Sequence, residues 1–327
     1  MDEHIVKWID SSVKEEFMEL WTNPDSKRIV ITHDSCEDGR GTGAAVLQHT
    51  YDYNDSLSQE DVVMKILLKP EFIFTEYNEY NIEDLKVRLK DAVVFVGDFS
   101  FMGEDYEAIS KVVKSIVMVD HHSTPIKDPV SDLPNTHFDN GHSGARLAWD
   151  FFDPGKYVPG VINLIEDRDL FDFKYGNSSR ALHLYLKSKT PNDLQEVIEC
   201  FKDEEVVLGY VNKFIKQVEI EQAKYHKKAL TAVPFTIRGK DFVGINLTSD
   251  VSETLNSAGI HFGLPAMSYF IKGDSIIFSL RNSVKGGLDV EEIAKSFGGG
   301  GHPQAAGFKI QLKDLDLNML FNFNTIF

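Results

Sequence analysis

The amino-acid sequence predicts an α/β protein with a mostly parallel N-terminal sheet flanked by helices, a linker helix, and a smaller C-terminal α/β domain. In the first half, short β-branched runs alternate with helical patterns, which is typical of a parallel sheet. After Ala232 the pattern changes to closely spaced strands and glycines. The 327 residues suffice for two domains of ordinary size.

The N-terminal elements follow from hydrophobic periodicity. Residues 4–21 predict an amphipathic helix, and the apolar run over 28–32 (RIVIT) predicts a buried strand. Glycines open a predicted helix over 42–49. The other predicted elements of this half are helices over 82–89, 106–114, 143–152, 157–167 and 192–200, and strands over 62–68, 92–96 and 115–119.

A long segment over 204–230 has apolar residues at helical spacing and predicts a linker helix. We therefore expect an N-terminal domain over 1–203, a linker helix over 204–231 and a C-terminal domain over 232–327. In the C-terminal part, the predicted elements are strands over 233–237, 242–245, 266–271 and 275–280, and a helix over 289–297 that precedes a glycine-rich loop.

Charge and composition exclude several classes of function. The chain has 34 Lys and Arg against 51 Asp and Glu, a net charge of −17. Binding to long nucleic acid relies on basic residues that neutralise phosphates, so we expect no long nucleic acid as a stable partner. The apolar runs are too short to span a membrane, so we expect a cytoplasmic protein with no membrane partner. Cys36 and Cys200 are too few for a disulfide framework.

Acidic residues and histidines come directly after several of the predicted strands, where ligands bind in open α/β sheets. Each alone is most simply a turn former, a helix cap or a surface residue. Together they are difficult to explain as solvated surface, because three strands deliver them to one edge of one sheet. Carboxylates with imidazoles suit Mn²⁺ or Mg²⁺, with other first-row ions possible. The residues concerned are His33, Asp34, Cys36, Glu37, Asp38, Asp98, Asp120, His121, His122, Asp167 and Asp169.

These residues lie in motifs that resemble those of the DHH phosphoesterase superfamily, in its two-domain DHH–DHHA1 form. The naming motif stands as Asp120-His121-His122 within VMVDHHSTP. THDSCEDGRGTGAA, VGDFSF and IEDRDLF are similar to the first, third and fourth motifs. The most specific match is C-terminal, where SLRNS and LDVEEIAKSFGGGGHPQAAGF are similar to the DHHA1 signature. The resemblance implies a DHH catalytic domain followed by a DHHA1 substrate-binding domain.

The resemblance also implies a role for each matching residue. His122 faces the substrate or the leaving group and Asp120 supports it, so both are expected catalytic residues. Asp98 matches the acid that bridges two metal ions. The expected metal ligands are His33, Cys36, Asp38, Asp98, His121 and Asp167, with Asp169 as the alternative to Asp167.

Cys36 departs from the pattern of the family, because it stands where the first motif usually has an aspartate. A thiolate at this position would shift the metal preference toward Zn²⁺ or iron. Alternatively, Asp34 or Glu37 substitutes as the ligand, one metal position is weakened, or Cys36 binds nothing. The sequence leaves these alternatives open.

The residues expected to bind substrate lie mainly in the second domain. The loop Gly298–His302 is interpreted as a cradle for a phosphate or nucleotide, because glycine lets backbone N–H groups approach an anion, although a plain turn is the alternative. Arg281 is either a phosphate partner or part of a surface salt bridge. Ser143 begins a helix whose N–H groups could bind phosphate, or is only its cap. The expected substrate-binding residues are Arg281, Gly299, Gly300, Gly301, His302 and Ser143.

Together these features predict a hydrolase, a metal-dependent phosphoesterase that uses water activated by two ions of Mn²⁺, with Mg²⁺ or another divalent metal possible. The expected substrates are short nucleotides: linear dinucleotides or nanoRNA, products of cyclic-dinucleotide turnover, or 3′-phosphoadenosine 5′-phosphate. One alternative is a single-strand-specific 5′–3′ exonuclease of the same superfamily, and another is a non-catalytic nucleotide sensor with a degenerate site. We expect a monomer or a homodimer.

Overall fold

The computed structural model describes residues 5–56, 68–77, 79–190, 192–283 and 287–314. The chain forms two compact units, with the boundary between Val218 and Glu219. This boundary lies inside the 26-residue helix Glu204–Ala229. Neither this helix nor any other in the described ranges is long and apolar enough to cross a membrane. Each unit is built on its own six-stranded sheet, so the predicted α/β class is confirmed.

The N-terminal sheet is mostly parallel. Its strands are β1 Val6–Lys7, β2 Arg28–His33, β3 Glu71–Thr75, β4 Val93–Gly97, β5 Ser115–Asp120 and β6 Thr136–Asp139. They run in the order β1-β6-β5-β4-β2-β3. β2 to β6 pair in parallel, and the short β1 pairs antiparallel with β6 at the edge.

Helices pack on both faces of this sheet. Alternate residues of each strand point to opposite faces, so both faces carry apolar side chains that the helices bury. Val93 packs with Phe17 on one face, whereas Val94 packs with Leu85 on the other. The helices of this unit are Ser11–Thr22, Glu37–Ser56, Ile82–Leu89, Gly103–Ser110, Ser123–Ile126, Gly144–Phe152, Gly160–Asp169, Asn177–Lys187, Gln195–Lys202 and the first part of Glu204–Ala229.

Several predicted elements differ from the structure near the strand ends. The helix predicted over 42–49 begins earlier, at Glu37, directly after the first motif's cysteine. The strand next to β2 is β3, whereas the strand predicted over 62–68 lies outside the described residues apart from Leu68, which is in a turn. The helix predicted over 4–21 begins later, at Ser11, because Val6–Lys7 form the strand β1. Strand β6 is additional to the predicted ones.

Two helices of this unit approach closely where Gly41 faces Ala145. A methyl group added at Gly41 would lie 2.7 Å from Ala145 Cβ and 3.0 Å from Ile165 Cδ1. Both distances are shorter than a normal carbon–carbon contact. Because Gly41 has no side chain, the helix that carries Asp38 packs directly against the helix that begins at Gly144.

The C-terminal unit contains a mostly antiparallel sheet. Its strands are β7 Val233–Ile237, β8 Lys240–Asn246, β9 Ala266–Lys272, β10 Ser275–Arg281, β11 Gly300–His302 and β12 Ala305–Gln311. They run in the order β11-β12-β10-β9-β8-β7, and β8 pairs in parallel with β9. The helices of this unit are Val251–Phe262 and Val290–Lys295. The predicted glycine-rich loop is partly a strand, because β11 pairs with β12.

Gly41→Ala is expected to lower the free energy of unfolding by about 1–3 kcal/mol, because the added methyl group overpacks the contact with Ala145. Gly209→Ala is the matched control, since Gly209 is exposed on a helix with open space around it. It should gain about 0.5–1 kcal/mol from helix propensity. Urea unfolding followed by circular dichroism measures both changes. Equal effects of the two substitutions would contradict the close crossing at Gly41.

Candidate active site

The carboxyl ends of three neighbouring parallel strands bring most of the predicted site residues together. His33 ends β2, Asp98 comes directly after β4, and Asp120 ends β5 with His121 and His122 directly after it. β5, β4 and β2 are adjacent in the sheet, so these side chains meet at one edge. The group therefore lies where ligands bind in open α/β sheets.

The Asp98 carboxylate lies at the centre of this group and is 1% exposed. Its Oδ2 lies 3.4 Å from Cys36 Sγ, and its Oδ1 lies 3.3 Å from His121 Nε2. Burial and the neighbouring Asp38 carboxylate raise the pKa of Asp98 well above its ordinary value. Asp98 therefore has candidate metal ligands beside each of its two oxygens and could help to hold a divalent cation on either side.

Asp38 is positioned by the N-terminus of the helix Gly144–Phe152. Its buried side chain accepts hydrogen bonds from Gly144 N at 2.6 Å and Ala145 N at 2.9 Å. N–H groups at a helix start have no partner within the helix, and the helix dipole favours a negative charge there. Asp38 Oδ2 also lies 3.6 Å from His121 Nε2. The helix start therefore fixes this carboxylate beside the imidazole.

Three carboxylates surround His121. Its Nε2 lies 3.3–3.6 Å from oxygens of Asp38, Asp98 and Asp169. Burial opposes the charged imidazole, but Asp169 and Asp38 outweigh burial and raise the pKa of His121. Asp169 lies at the rim, with its side chain 31% exposed, and the partial loss of solvent together with Asp38 raises its pKa to about 6. Perturbed groups gathered at one place are typical of functional sites.

Asp120 is fully buried and orients the two histidines that come after it. Its Oδ1 accepts a hydrogen bond from His121 N at 2.7 Å and lies 2.7 Å from His122 Nδ1. Its Oδ2 accepts a hydrogen bond from Ser100 Oγ at 2.6 Å. Burial opposes charge on His122, but Asp120 outweighs it and raises the pKa of this imidazole. The pairing fixes the ring orientation of His122.

His33 is oriented by Glu76, an acidic residue absent from the predicted set. His33 Nε2 lies 2.9 Å from Glu76 Oε2. Glu76 comes directly after β3, so it reaches the same sheet edge as the end of β2. The predicted elements do not include β3, so they do not place Glu76 at this edge. The sequence signal for it is an acid directly after the apolar run EFIFT. Carboxylates of this kind orient imidazoles that bind metals.

The other two acids of the first motif have partners elsewhere. Asp34 Oδ1 accepts a hydrogen bond from Asn192 Nδ2 at 2.6 Å, and Glu37 Oε1 lies 2.9 Å from His183 Nδ1. Cys36, in contrast, stays within the group. Burial and the nearby carboxylates raise the pKa of its thiol well above the ordinary value.

Asp167 does not join the group, which corrects its expected role as a metal ligand. Its buried carboxylate accepts hydrogen bonds from Lys174 N at 2.5 Å, Tyr175 N at 3.2 Å and Ser179 Oγ at 2.7 Å. It therefore closes the turn after its helix. Two residues rotate a helical side chain by about 200°, so the alternative residue, Asp169, faces the site instead.

Ser143 is a helix cap, which corrects its expected contact with a substrate phosphate. The residue is fully buried, and its Oγ accepts a hydrogen bond from Arg146 N at 3.3 Å. Its own N–H donates to Glu166 Oε2 at 3.3 Å, and the next two N–H groups donate to Asp38. Carboxylates of the protein thus occupy the anion-binding helix start.

In the C-terminal unit, two glycines of the predicted cradle have a packing explanation. A side chain at Gly299 would overlap the carbonyl of Gly307, and one at Gly301 would collide with the β12 backbone. Both glycines therefore allow close approach of β11 and β12. Gly300 has open space around it, which leaves room for a ligand.

Arg281 and His302 are the other predicted substrate contacts of this unit. Arg281 ends β10, and its Nη2 donates a hydrogen bond to Ser252 Oγ at 2.9 Å. This contact holds the guanidinium near the start of the helix Val251–Phe262. The side chain of His302 lies outside the described residues.

The residues at the N-terminal sheet edge fit a divalent metal centre. Their carboxylate and imidazole groups are ligands that Mn²⁺, Mg²⁺ and Zn²⁺ accept. Burying such acids beside one another is costly unless a positive charge compensates them. Within each of three sets of described residues, all candidate ligand atoms lie within 4.8 Å of one another: Asp98, Asp120, His121 and His122; His33, Cys36 and Asp98; and Asp38, His121 and Asp169.

Known proteins are similar to this chain in sequence and in fold. Residues 243–319 match the family model of the DHHA1 domain. An uncharacterized protein of Acanthamoeba polyphaga mimivirus is 27% identical over 297 residues, which cover 87% of this chain and 68% of that relative.

Several solved structures share the fold at low sequence identity. A DHH-domain structure from a member of a family of ribosomal proteins has a TM-score of 0.60 and 15% identity, covering 93% of this chain and 89% of its own. The pGpG-specific phosphodiesterase of Vibrio cholerae has a TM-score of 0.51 and 14% identity, covering 88% and 95%. Mn²⁺-bound RecJ of Thermus thermophilus has a TM-score of 0.51 and 12% identity, covering 95% and 53%.

The fold and the site define an α/β protein with a place for divalent metal at the edge of a parallel sheet. Residues 243–319 form a DHHA1 domain, and the described chain has the fold of the DHH proteins it resembles. The domain match and the shared fold confirm the resemblance to DHH–DHHA1 proteins that the motifs indicate.

Asp169→Ala is expected to weaken Mn²⁺ binding with little change in stability, because it removes a carboxylate from the cluster. Asp167→Ala is expected to lower the free energy of unfolding by about 1–3 kcal/mol, because it leaves buried donors without their acceptor. Calorimetric titration with Mn²⁺ and urea unfolding separate the two effects. Loss of metal binding in Asp167→Ala alone would show that the assignment of Asp169 is wrong.

Glu76→Gln is expected to weaken Mn²⁺ binding by about 10–100-fold, because the neutral amide orients His33 less firmly than a carboxylate does. Glu79→Gln removes a nearby exposed acid and serves as the matched control. Competition with a fluorescent chelator measures both affinities. Equal Mn²⁺ affinities in the two variants would show that Glu76 does not support metal binding.

Proposed function

We propose that this protein is a metal-dependent phosphoesterase that hydrolyses phosphoester bonds of short nucleotides. The observation that carries the proposal is the buried Asp98 carboxylate, which has candidate metal ligands on both sides. Structural relatives that include a phosphodiesterase and a nuclease support hydrolysis at phosphorus.

The proposed metal centre uses ligands from four chain segments. His33 and Asp98 would hold one ion, and Asp38, Asp98, His121 and Asp169 would hold the other. Two divalent cations about 3.5–4 Å apart would stabilise the attacking and leaving oxygens of a phosphoryl displacement. We propose Mn²⁺ for the position formed by Asp38, Asp98, His121 and Asp169, because RecJ with the same fold binds it and carboxylate and imidazole ligands suit it.

His122 is the proposed proton donor to the leaving oxygen. Asp120 holds its Nδ1 at 2.7 Å and favours the protonated ring, so a proton can pass from Nε2 to the developing alkoxide. Asp120 would then stabilise the charge distribution of the pair without transferring a proton itself. We propose for both residues the catalytic roles expected from the DHH motif.

A short substrate suits the charge of the chain. With a net charge of −17, most of the acids lie outside the site and would repel a long phosphate backbone. A dinucleotide has few phosphates, which the metal ions and a small number of protein groups can neutralise. We propose Arg281, Gly300 and His302 for these protein contacts. Because one protein with the same fold is a pGpG-specific phosphodiesterase, a linear dinucleotide is the first substrate to test.

The second candidate function is a single-strand exonuclease, which the shared fold with RecJ favours. This chain covers 53% of the RecJ chain, so much of that protein has no counterpart here. Exonucleases need an extended basic groove for a long strand, which the acidic composition disfavours.

A substrate panel with the purified full chain and Mn²⁺ tests these alternatives. Linear 5′-phosphorylated dinucleotides are expected to be hydrolysed faster than strands of roughly 20 nucleotides, because the shorter phosphate backbone meets less repulsion from the acidic chain. 3′-Phosphoadenosine 5′-phosphate and cyclic dinucleotides complete the panel, and chromatography identifies the products.

Asp98→Asn is the inactive control for the panel and should abolish hydrolysis of every substrate. Faster hydrolysis of the long strand would favour the exonuclease. Binding of nucleotide without any hydrolysis would favour the non-catalytic sensor.

A further inference from the structure

We infer that the two metal positions are chemically different: one includes the Cys36 thiolate and selects a thiophilic ion such as Zn²⁺, Fe²⁺ or Co²⁺, and the other has only oxygen and nitrogen ligands. The inference rests on the proposed function, since it concerns the same metal centre. It extends that function by assigning a different ion to each position.

Cys36 lies at the start of a helix, beside two other candidate metal ligands. It directly precedes the helix Glu37–Ser56, and Gly39 N in the first turn donates a hydrogen bond to Sγ at 3.0 Å. The Gly39 N–H favours a thiolate, whereas burial and the carboxylates of Asp98 and Asp38 favour the thiol until a cation compensates them. Sγ also lies 3.4 Å from Asp98 Oδ2, and His33 completes the set of candidate ligands.

The two oxygens of Asp98 separate the two positions. Oδ2 faces Cys36, whereas Oδ1 lies 3.3 Å from His121 Nε2. On the His121 side, the further candidate ligands are the carboxylates of Asp38 and Asp169. Among the described residues, sulfur therefore stands on one side of Asp98, and oxygen and nitrogen ligands stand on the other.

Ligand softness makes these two sets select different ions. Thiolates favour zinc and iron, whereas carboxylates with imidazole accept Mn²⁺ and Mg²⁺. When the ion binds, the Sγ–H bond of Cys36 breaks, the proton passes to solvent, and a sulfur lone pair forms the bond to the metal. No change in oxidation state is involved.

Packing alone is the competing explanation, because small buried cysteines are common in protein interiors. A packing role would be satisfied by apolar neighbours. The neighbours of Cys36 are instead a buried carboxylate and a helical N–H group. These contacts favour a ligand, and the two explanations differ in whether sulfur bonds to the ion.

Cobalt substitution tests this difference directly. The full chain, stripped of metal and titrated with Co²⁺, should develop a thiolate-to-cobalt charge-transfer band in the near ultraviolet. The chain has two cysteines, so a matched control is available in Cys200→Ser, which alters a buried thiol bonded to Glu196 O. Cys200→Ser should keep the band, and Cys36→Ser should lose it.

Metal selectivity gives a second measurement. Zn²⁺ binds nitrogen and oxygen ligands more tightly than Mn²⁺ as well, so the comparison between variants carries the result. After exposure to an equimolar mixture of Zn²⁺ and Mn²⁺, elemental analysis should find less Zn²⁺ per chain in Cys36→Asp than in wild type, and Cys200→Ser should match wild type. Equal Zn²⁺ content in all three would contradict the thiolate ligand. Cys36→Asp should lose the preference for Zn²⁺ at its position, and it keeps the test available if Cys36→Ser does not fold.

Two outcomes separate this inference from the proposed function. A wild-type chain that binds two Co²⁺ ions and hydrolyses dinucleotides without the charge-transfer band would overturn the inference and leave the phosphoesterase proposal standing. A chain that shows the band in wild type but hydrolyses no substrate would support the thiolate ligand and overturn the phosphoesterase proposal.

Discussion

The convergence of three acidic side chains on one buried imidazole is the constraint on which the rest of the N-terminal unit depends. Asp38, Asp98 and Asp169 all lie within 3.6 Å of His121 Nε2. Burying like charges together requires compensating positive charge. The helix that begins at Gly144 supplies part of it through two N–H groups, and divalent cations would supply the remainder. The parallel sheet makes the convergence possible, because neighbouring strands end at the same edge.

Much of this arrangement could be predicted from local sequence. The apolar runs before His33, Asp98 and Asp120 identify three buried strands, and parallel strands present the residues at their carboxyl ends along one edge. The role of Asp120 is also local, because its carboxylate reaches the two histidines directly after it. In these cases the relevant contacts join residues that are close in sequence, or residues that occupy equivalent places at the ends of adjacent strands.

The remaining features depend on geometry that spacing does not reveal. Asp167 and Asp169 look equivalent in the fourth motif, but the rotation of the helix sends one into a turn and the other into the site. Glu76 directly follows β3, a strand that is not among the predicted ones. Asp38 accepts a hydrogen bond from Gly144 N, which is 106 residues away in the chain. No local sequence pattern predicts that a side chain will bind the N-terminus of a helix so far away in sequence.

The double role of Asp38 constrains how this chain can change over evolution. The carboxylate faces the metal cluster and also caps the helix that begins at Gly144. A descendant that binds no metal could replace Asp98, His121 and Asp169 together, yet loss of the cap at Asp38 would still cost about 1 kcal/mol of stability. Such a lineage should retain a hydrogen-bond acceptor such as asparagine or serine in place of Asp38. That residue beside altered neighbours would mark a lineage that lost the acidic and histidine cluster but kept the helix cap.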